Sequence, residues 1–184
     1  MHGYERSTHD LSRVIRTTMA AGTLVPVMKE VALPGDTFDI DISADVQTLP
    51  TIGALFGSYQ LYIDLFQVPI RLYNAALHMN MLNIGLDMSK VFFPLVELQG
   101  NNPRTGIPID NQQINPSCIF KYLGISGLGR ATATNGVAIR QFNAIPWLAY
   151  WDIYKNYYAN KQEGIGAVIH QSPIPVTPTI SALS

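Results

Sequence analysis

The sequence contains few charged residues. They make up 14% of the 184 residues, whereas the hydrophobic group reaches 47%; an average soluble domain has roughly 25% charged residues. The charged residues of this chain are too few to solvate the whole surface of a monomer. We therefore expect partner subunits to cover much of that surface. The formal net charge is −1, which provides no general attraction to nucleic acid or to an acidic surface.

Cysteine and long apolar runs are also scarce. Cys118 is the single cysteine, which excludes a disulfide within the chain and any multi-cysteine metal site. No uninterrupted apolar run approaches the roughly 20 residues of a membrane span. The first ten residues, MHGYERSTHD, lack the apolar core of a signal peptide. We therefore expect a soluble, unexported protein with no membrane insertion.

Motifs that carry catalytic chemistry are missing as well. The four histidines, His2, His9, His78 and His170, are far apart and form no ligand pair. The glycines of GISGLGR, residues 124–130, stand in the wrong order for a dinucleotide-binding loop, and Ser126 is not in a nucleophile elbow. His78 is better explained as a packed or capping histidine than as a base. The sequence predicts no enzyme and no catalytic, cofactor or metal site.

An acidic stretch at residues 30–42 fits either a metal site or a strand. After the turn signal Pro34-Gly35, apolar and acidic residues alternate: Phe38, Ile40 and Ile42 with Asp39 and Asp41. This period of two is typical of a half-buried strand. Calcium takes roughly six to eight oxygen ligands, which two carboxylates on one strand face do not supply. We predict a strand with solvated aspartates.

The remaining pattern is mostly β, with insertions. Residues 22–31 are β-rich and carry Pro26, which favours an edge strand or a bulge; residues 59–68 have two apolar faces. Asn135-Gly136 predicts a hairpin within residues 130–142. The predicted insertions are helices at about 71–84 and 146–161, a short helix from Asn115 to Gly124 with Pro116 in its first turn, and a loop at about 98–112. We expect an N-terminal arm at residues 1–21 and a body at residues 22–184.

The helix at residues 146–161 carries an aromatic face. Its members recur at three- and four-residue intervals: Trp147, Tyr150, Trp151, Tyr154 and Tyr158. Such a face could pack in a core or subunit interface, or it could stack on single-stranded bases. Only Lys155 and Lys161 supply positive charge here, which is little for a groove that follows a phosphate backbone. We predict packing.

Basic residues outnumber acidic ones near the N-terminus, where Arg6, Arg13 and Arg16 lie among Glu5 and Asp10. These arginines fit an exposed, poorly ordered terminus, and they also fit contacts with phosphate groups. The sequence leaves both interpretations open.

Residues 6–42 resemble the N-terminal signature of the major capsid protein of Microviridae, the small single-stranded DNA phages. The elements that carry the resemblance are Arg6-Ser7, Thr17-Thr18, the blocks at residues 22–26 and 30–37, Val68-Pro69 and Arg71-Leu72. Residues 145–161, IPWLAYWDIYKNYYANK, are similar to a second family stretch. THDLSR and RLYNAALHMNMLNIGLDMSK are most similar to the branch in phages and prophages of Bacteroidetes. Leu148 departs from the pattern, because many relatives have arginine there.

The resemblance implies a structural protein with a viral jelly-roll β-sandwich that carries helical and loop insertions. Identical copies would assemble into a T=1 icosahedral shell around circular single-stranded DNA. Relatives are longer, so we expect this chain to be the N-terminal portion, with an incomplete sandwich. The implied location is the virion, after assembly in the cytoplasm of the bacterial host.

The implied partners are other copies of the chain, other phage structural proteins and genomic single-stranded DNA on the inner surface. Arg6, Arg13 and Arg16 are the candidate DNA contacts. The alternative is a non-viral jelly-roll module that binds a carbohydrate or another ligand through its aromatics. An exposed Trp147 or Trp151 beside a polar cleft would favour that alternative.

Overall fold

The structure is a computed structural model, which describes residues 7–54, 56–74, 77, 89, 91–100, 118–125, 138–163 and 179–181. No helix in these ranges is both long enough and apolar enough to cross a membrane. The elements are short, and they follow a long stretch without helix or strand.

That stretch, the N-terminal segment (residues 7–54 and 56–69), is punctuated by two tight turns. The first joins Ala20 to Thr23, whose N–H donates to the Ala20 carbonyl at 3.3 Å. In the second, the N–H of Asp36 donates to the carbonyl of Leu33 at 3.1 Å, and the Asp36 carboxylate accepts the Leu33 N–H at 2.8 Å. Gly35 has a φ of 91°, which glycine adopts without the steric penalty of a side chain. Asp36 therefore closes a turn.

The strands predicted within this segment are not formed in the described structure. Residues 22–31, 38–42 and 59–68 form no strand, and Phe38, Ile40 and Ile42 are all exposed. Alternation favours a strand only when a partner supplies backbone hydrogen bonds and covers the apolar face. No such partner lies beside these residues in the part of the chain that the structure describes.

The described strands form one three-stranded sheet. Strand β1 (Leu95–Gly100) lies between β2 (Ala138–Asn143) and β3 (Thr179–Ser181). It pairs antiparallel with β2, with Leu95 opposite Asn143, and parallel with β3, with Glu97 opposite Thr179. Mixed pairing of this kind places the ends of distant segments side by side.

Two of the sequence predictions concern residues of this sheet. The loop predicted at about 98–112 begins too early, because residues 98–100 belong to β1; residues 101–112 lie outside the described ranges. The second arm of the predicted hairpin is β2, whose partner among the described residues is β1. The first arm and the Asn135-Gly136 turn lie outside the described ranges.

Helix α1 (Ile119–Tyr122) is a single turn with a well-defined end. Cys118 precedes it in an extended conformation, with φ −81° and ψ 143°, so this turn begins at Ile119. Asn115 and Pro116, the predicted cap and first-turn residue, lie outside the described residues. At the other end, the N–H of Gly124 donates to the Lys121 carbonyl and that of Ile125 to the Phe120 carbonyl, at 3.0 and 2.9 Å. This is the Schellman arrangement, and Gly124 takes the required positive φ of 95°.

Helix α2 (Ile145–Ile153) has Pro146 in its first turn and continues as a π-helix over Tyr154–Tyr158. Ala159 then becomes extended, which ends the helical run before Lys161. Short 3₁₀ turns occupy Ile70–Tyr73 and Lys161–Glu163. Most of the helix predicted at about 71–84 lies outside the described residues.

The core joins the sheet to both helices. Val96 on β1, Phe120 on α1 and Ala144 before α2 are buried and form one cluster, against which Phe142, Trp147, Leu148, Cys118 and Ile125 pack. The Ala144 N–H donates to the Pro94 carbonyl at 2.9 Å, which fixes the start of α2 beside β1. Leu148 contributes apolar surface to this core.

Candidate assembly surface

The five aromatics predicted for a core or interface lie on one helical run and are here called the aromatic ridge (Trp147, Tyr150, Trp151, Tyr154 and Tyr158). Ring contacts join the first four of them. Trp147 stacks on Phe120 of the core, with ring centroids 6.1 Å apart and an interplanar angle of 13°. Trp151 contacts the edges or faces of Trp147, Tyr150 and Tyr154 at 6.3, 5.5 and 5.9 Å. Edge-to-face contacts at these distances are favourable for aromatic rings. One end of the ridge is therefore anchored in the core.

The other side of the ridge reaches the N-terminal segment through phenol groups. The Tyr150 hydroxyl donates to the Leu24 carbonyl at 2.9 Å, and the Tyr158 hydroxyl donates to the Asp64 carboxylate. Phe66 lies 5.0 Å from the ring of Tyr157 and 6.3 Å from that of Tyr158. The ridge thus connects the core to an extended segment far away in sequence.

Electrostatics keep these phenols protonated. Burial, followed by the nearby Tyr154, raises the pKa of Tyr150 above its usual range. The pKa of Tyr158 is raised mainly by its hydrogen bond to Asp64, which requires the proton on the phenol. Both groups act as neutral hydrogen-bond donors near neutral pH.

Trp151 has a different environment. Its indole Nε1 is buried and has no hydrogen-bond acceptor among the described residues. Both tryptophans are half-buried with their rings against other aromatic rings. This packing differs from the open platform beside a polar cleft that would favour a sugar-binding module.

A second set of contacts holds residues 18–29, here called the docked segment, against α1. The Tyr122 hydroxyl donates to the Thr18 carbonyl at 2.9 Å. The Lys29 ammonium donates to the carbonyl of Leu123, so a cation caps the negative end of α1. Together with Tyr150 and Leu24, these bonds attach the docked segment to both helices.

The three arginines predicted for DNA contact have different surroundings. Arg6 lies outside the described residues. Arg13 forms an ion pair with Glu30, so its charge is already compensated. Arg16 is exposed and lines a cleft shared with Lys121 and Tyr122.

Apolar exposure is concentrated in the N-terminal segment. Most of the exposed large hydrophobic residues among those described lie there, including Val14 at 87%, Leu49 at 87% and Phe56 at 98% exposure. Single exposed apolar residues are ordinary, but a run of them along some 60 residues is typical of a surface that contacts another protein. The geometry therefore supports assembly.

The sequence does not predict several of the contacts described above. Lys29 and Leu123 are 94 positions apart, as are Asp64 and Tyr158, and no local pattern marks such pairs. Lys121 and Tyr122 lie in a predicted helix, but nothing in its sequence shows that residues 15–18 lie beside it. His78, the residue on which an enzymatic interpretation would rest, lies outside the described ranges.

Comparison with known proteins resolves the family. A family profile described as capsid protein (F protein) matches residues 2–171, nearly the whole chain. The chain belongs to this capsid protein family. No curated protein and no solved structure matches it.

Membership of the F protein family gives the chain its role. It is a structural major capsid protein of a small single-stranded DNA phage, and it works as a self-assembling oligomer in the virion. The match includes the N-terminal segment, the docked segment and the aromatic ridge. Contacts between subunits are a general way for an assembling protein to bury apolar side chains that a single copy exposes.

Proposed function

We propose that this chain is the N-terminal portion of a jelly-roll subunit that builds a T=1 icosahedral shell around circular single-stranded DNA. The observation that carries the proposal is the N-terminal segment, which forms no helix or strand among its described residues and exposes most of its large apolar side chains. Extended backbone with unpaired strand edges gains hydrogen bonds and buries apolar surface when it joins a sheet. Strands from the remainder of the subunit or from a neighbouring copy would provide that sheet.

The described elements supply two parts of such a subunit. The core of Val96, Phe120 and Ala144 fixes the three-stranded sheet to the helices, and the aromatic ridge connects that core to the N-terminal segment. Many modest contacts of this kind become strong in a closed shell, because each subunit is held by several neighbours at once. Assembly in the cytoplasm of the bacterial host and contact with other phage structural proteins belong to the same proposal.

The proposal also includes contact between the inner surface and the genome, with Arg6, Arg13 and Arg16 as candidates. Replacing all three with alanine should lower the DNA content of purified particles while shells still form. The matched control replaces Arg71, which is exposed on the 3₁₀ turn. Particles of the triple variant that carry as much DNA as the wild type would reject the arginine contacts.

Shell formation is tested separately, by electron microscopy of particles from cells that express the subunit. We expect closed particles of one size. Expression that yields only dispersed subunits under all conditions of salt and concentration would count against the proposed shell.

A further inference from the structure

A cleft of about 540 Å³ separates the start of the docked segment from α1. Two basic residues line this cleft: Arg16 from the N-terminal segment and Lys121 from α1. Apolar side chains and one aromatic ring complete most of its wall: Ile15, Pro26, Val27 and Tyr122. A cleft of this size and composition is large enough for a small organic group.

The charges in this cleft are uncompensated among the described residues. Neither Arg16 nor Lys121 forms an ion pair there, and no carboxylate belongs to the described lining. Arg13, only three positions from Arg16, pairs with Glu30 and is thereby directed elsewhere. Two cations without a protein counter-ion on one cleft favour an anionic ligand.

The wall of the cleft is fixed in place. Because the Tyr122 hydroxyl donates to the Thr18 carbonyl at 2.9 Å, the ring is held between the helix and the N-terminal segment. The Lys29 ammonium donates to the carbonyl of Leu123, the residue after α1, and this bond also holds the N-terminal segment against the helix. A preformed cleft loses less conformational entropy on binding than one that must close around its ligand.

We propose that this cleft binds the phosphodiester backbone of single-stranded nucleic acid. Arg16 and Lys121 contact successive phosphates, while Ile15, Pro26, Val27 and the Tyr122 ring offer apolar surface to a base. Combining cations with flat apolar surface is how proteins bind single strands without reading their sequence. This assignment rests on the proposed contact with the genome, and it adds Lys121 while removing Arg13.

The test measures how binding of a fluorescent single-stranded oligonucleotide to the unassembled capsid subunit depends on salt. Each phosphate contact contributes about 0.7 to the slope of log K against log salt for single strands. The double variant Arg16→Gln, Lys121→Gln should therefore lower the slope by about 1.4. The matched control, Arg71→Gln with Lys161→Gln, removes the same charges from exposed sites outside the cleft and should leave the slope unchanged.

A charge-preserving pair keeps the result interpretable if the glutamine variant folds poorly. Arg16→Lys with Lys121→Arg should retain the wild-type slope. An equal slope in wild type and the glutamine variant would overturn the cleft assignment, and so would equally tight binding of inorganic phosphate. Either result would leave the capsid role intact. If wild-type shells failed to form, the proposed function would be overturned, and the cleft would still be tested by the salt dependence of oligonucleotide binding.

Discussion

Single hydroxyl groups decide how the N-terminal segment is attached. Tyr122 and Tyr150 each donate to a backbone carbonyl of the docked segment, at 2.9 Å in both cases. Phenol donors suit this task, because the ring packs against apolar neighbours while the hydroxyl satisfies a backbone group. The aromatics that the sequence marks as a packing face therefore also hold a distant segment.

Replacing Tyr150 with phenylalanine tests this attachment. The variant keeps the ring but leaves the Leu24 carbonyl without its donor, which should cost about 1 kcal/mol. Limited proteolysis of the assembled protein should then cleave the docked segment about fivefold faster, as expected for local opening that costs less free energy. Tyr59→Phe, which removes an exposed phenol, is the control. Equal cleavage rates in the two variants would show that the bond does not hold the segment.

Tyr73 predicts a pH dependence in the alkaline range. Burial, and then the charge and hydrogen bond of Asp152, raise the pKa of Tyr73 above its ordinary value of 10.0. The folded state thus favours the neutral phenol, so its contribution to stability is complete below pH 10.0 and declines as the pH rises above that value.

Denaturant unfolding of the assembled protein below and above this pH should show the decline, and Tyr73→Phe should flatten it. Tyr59→Phe should keep the wild-type profile. If the stability of Tyr73→Phe depended on pH in the same way as that of the wild type, ionisation of Tyr73 would not be the cause of the decline.

Among the elements, α1 shows how a short helix is defined by its ends. Four residues cannot hold a helix by propensity alone. The Schellman bonds at Gly124 and Ile125 and the Lys29 ammonium at Leu123 satisfy its last carbonyls. Its stability therefore depends on one glycine and on a lysine from the N-terminal segment.

Gly124→Ala should destabilise this helix end by about 1 kcal/mol, because an L side chain is strained at a φ of 95°. Gly57→Ala is a closely matched control: neither added methyl group would meet an atom within 4 Å, but Gly57 does not have a positive φ. Thermal unfolding of the assembled protein should show a lower midpoint only for Gly124→Ala. Equal midpoints would mean that the backbone conformation at Gly124 does not limit stability.

Local signals predict some of these elements and miss others. The Pro34-Gly35 turn and the stop at Gly124 follow from backbone preferences of single residues, and aromatic spacing predicts a helix where α2 lies. The pairing of β1 with β2, and the bond between Lys29 and Leu123, depend on the path of the whole chain, which no window of sequence contains. Alternation at residues 38–42 predicts a strand, but a strand also needs a partner.

At the scale of the whole molecule, the described residues expose many more large apolar side chains than they bury. Among the described residues, the buried apolar side chains are few: the Val96 cluster, Tyr73 and Leu123. The N-terminal segment meanwhile exposes most of its large apolar residues. The core of the described residues is small and provides little stability by itself, so we expect stability to depend on association and hence on protein concentration.

We infer that other protein, chiefly further copies of the subunit, covers this exposed apolar surface. Sedimentation velocity of the expressed protein over a range of concentrations, with electron microscopy of the fastest fraction, tests it most directly. We predict association throughout, as closed shells for the assembling subunit and as aggregates or partly unfolded material for residues 1–184 alone. A monodisperse monomer of these residues with a sharp, reversible thermal transition would contradict the claim.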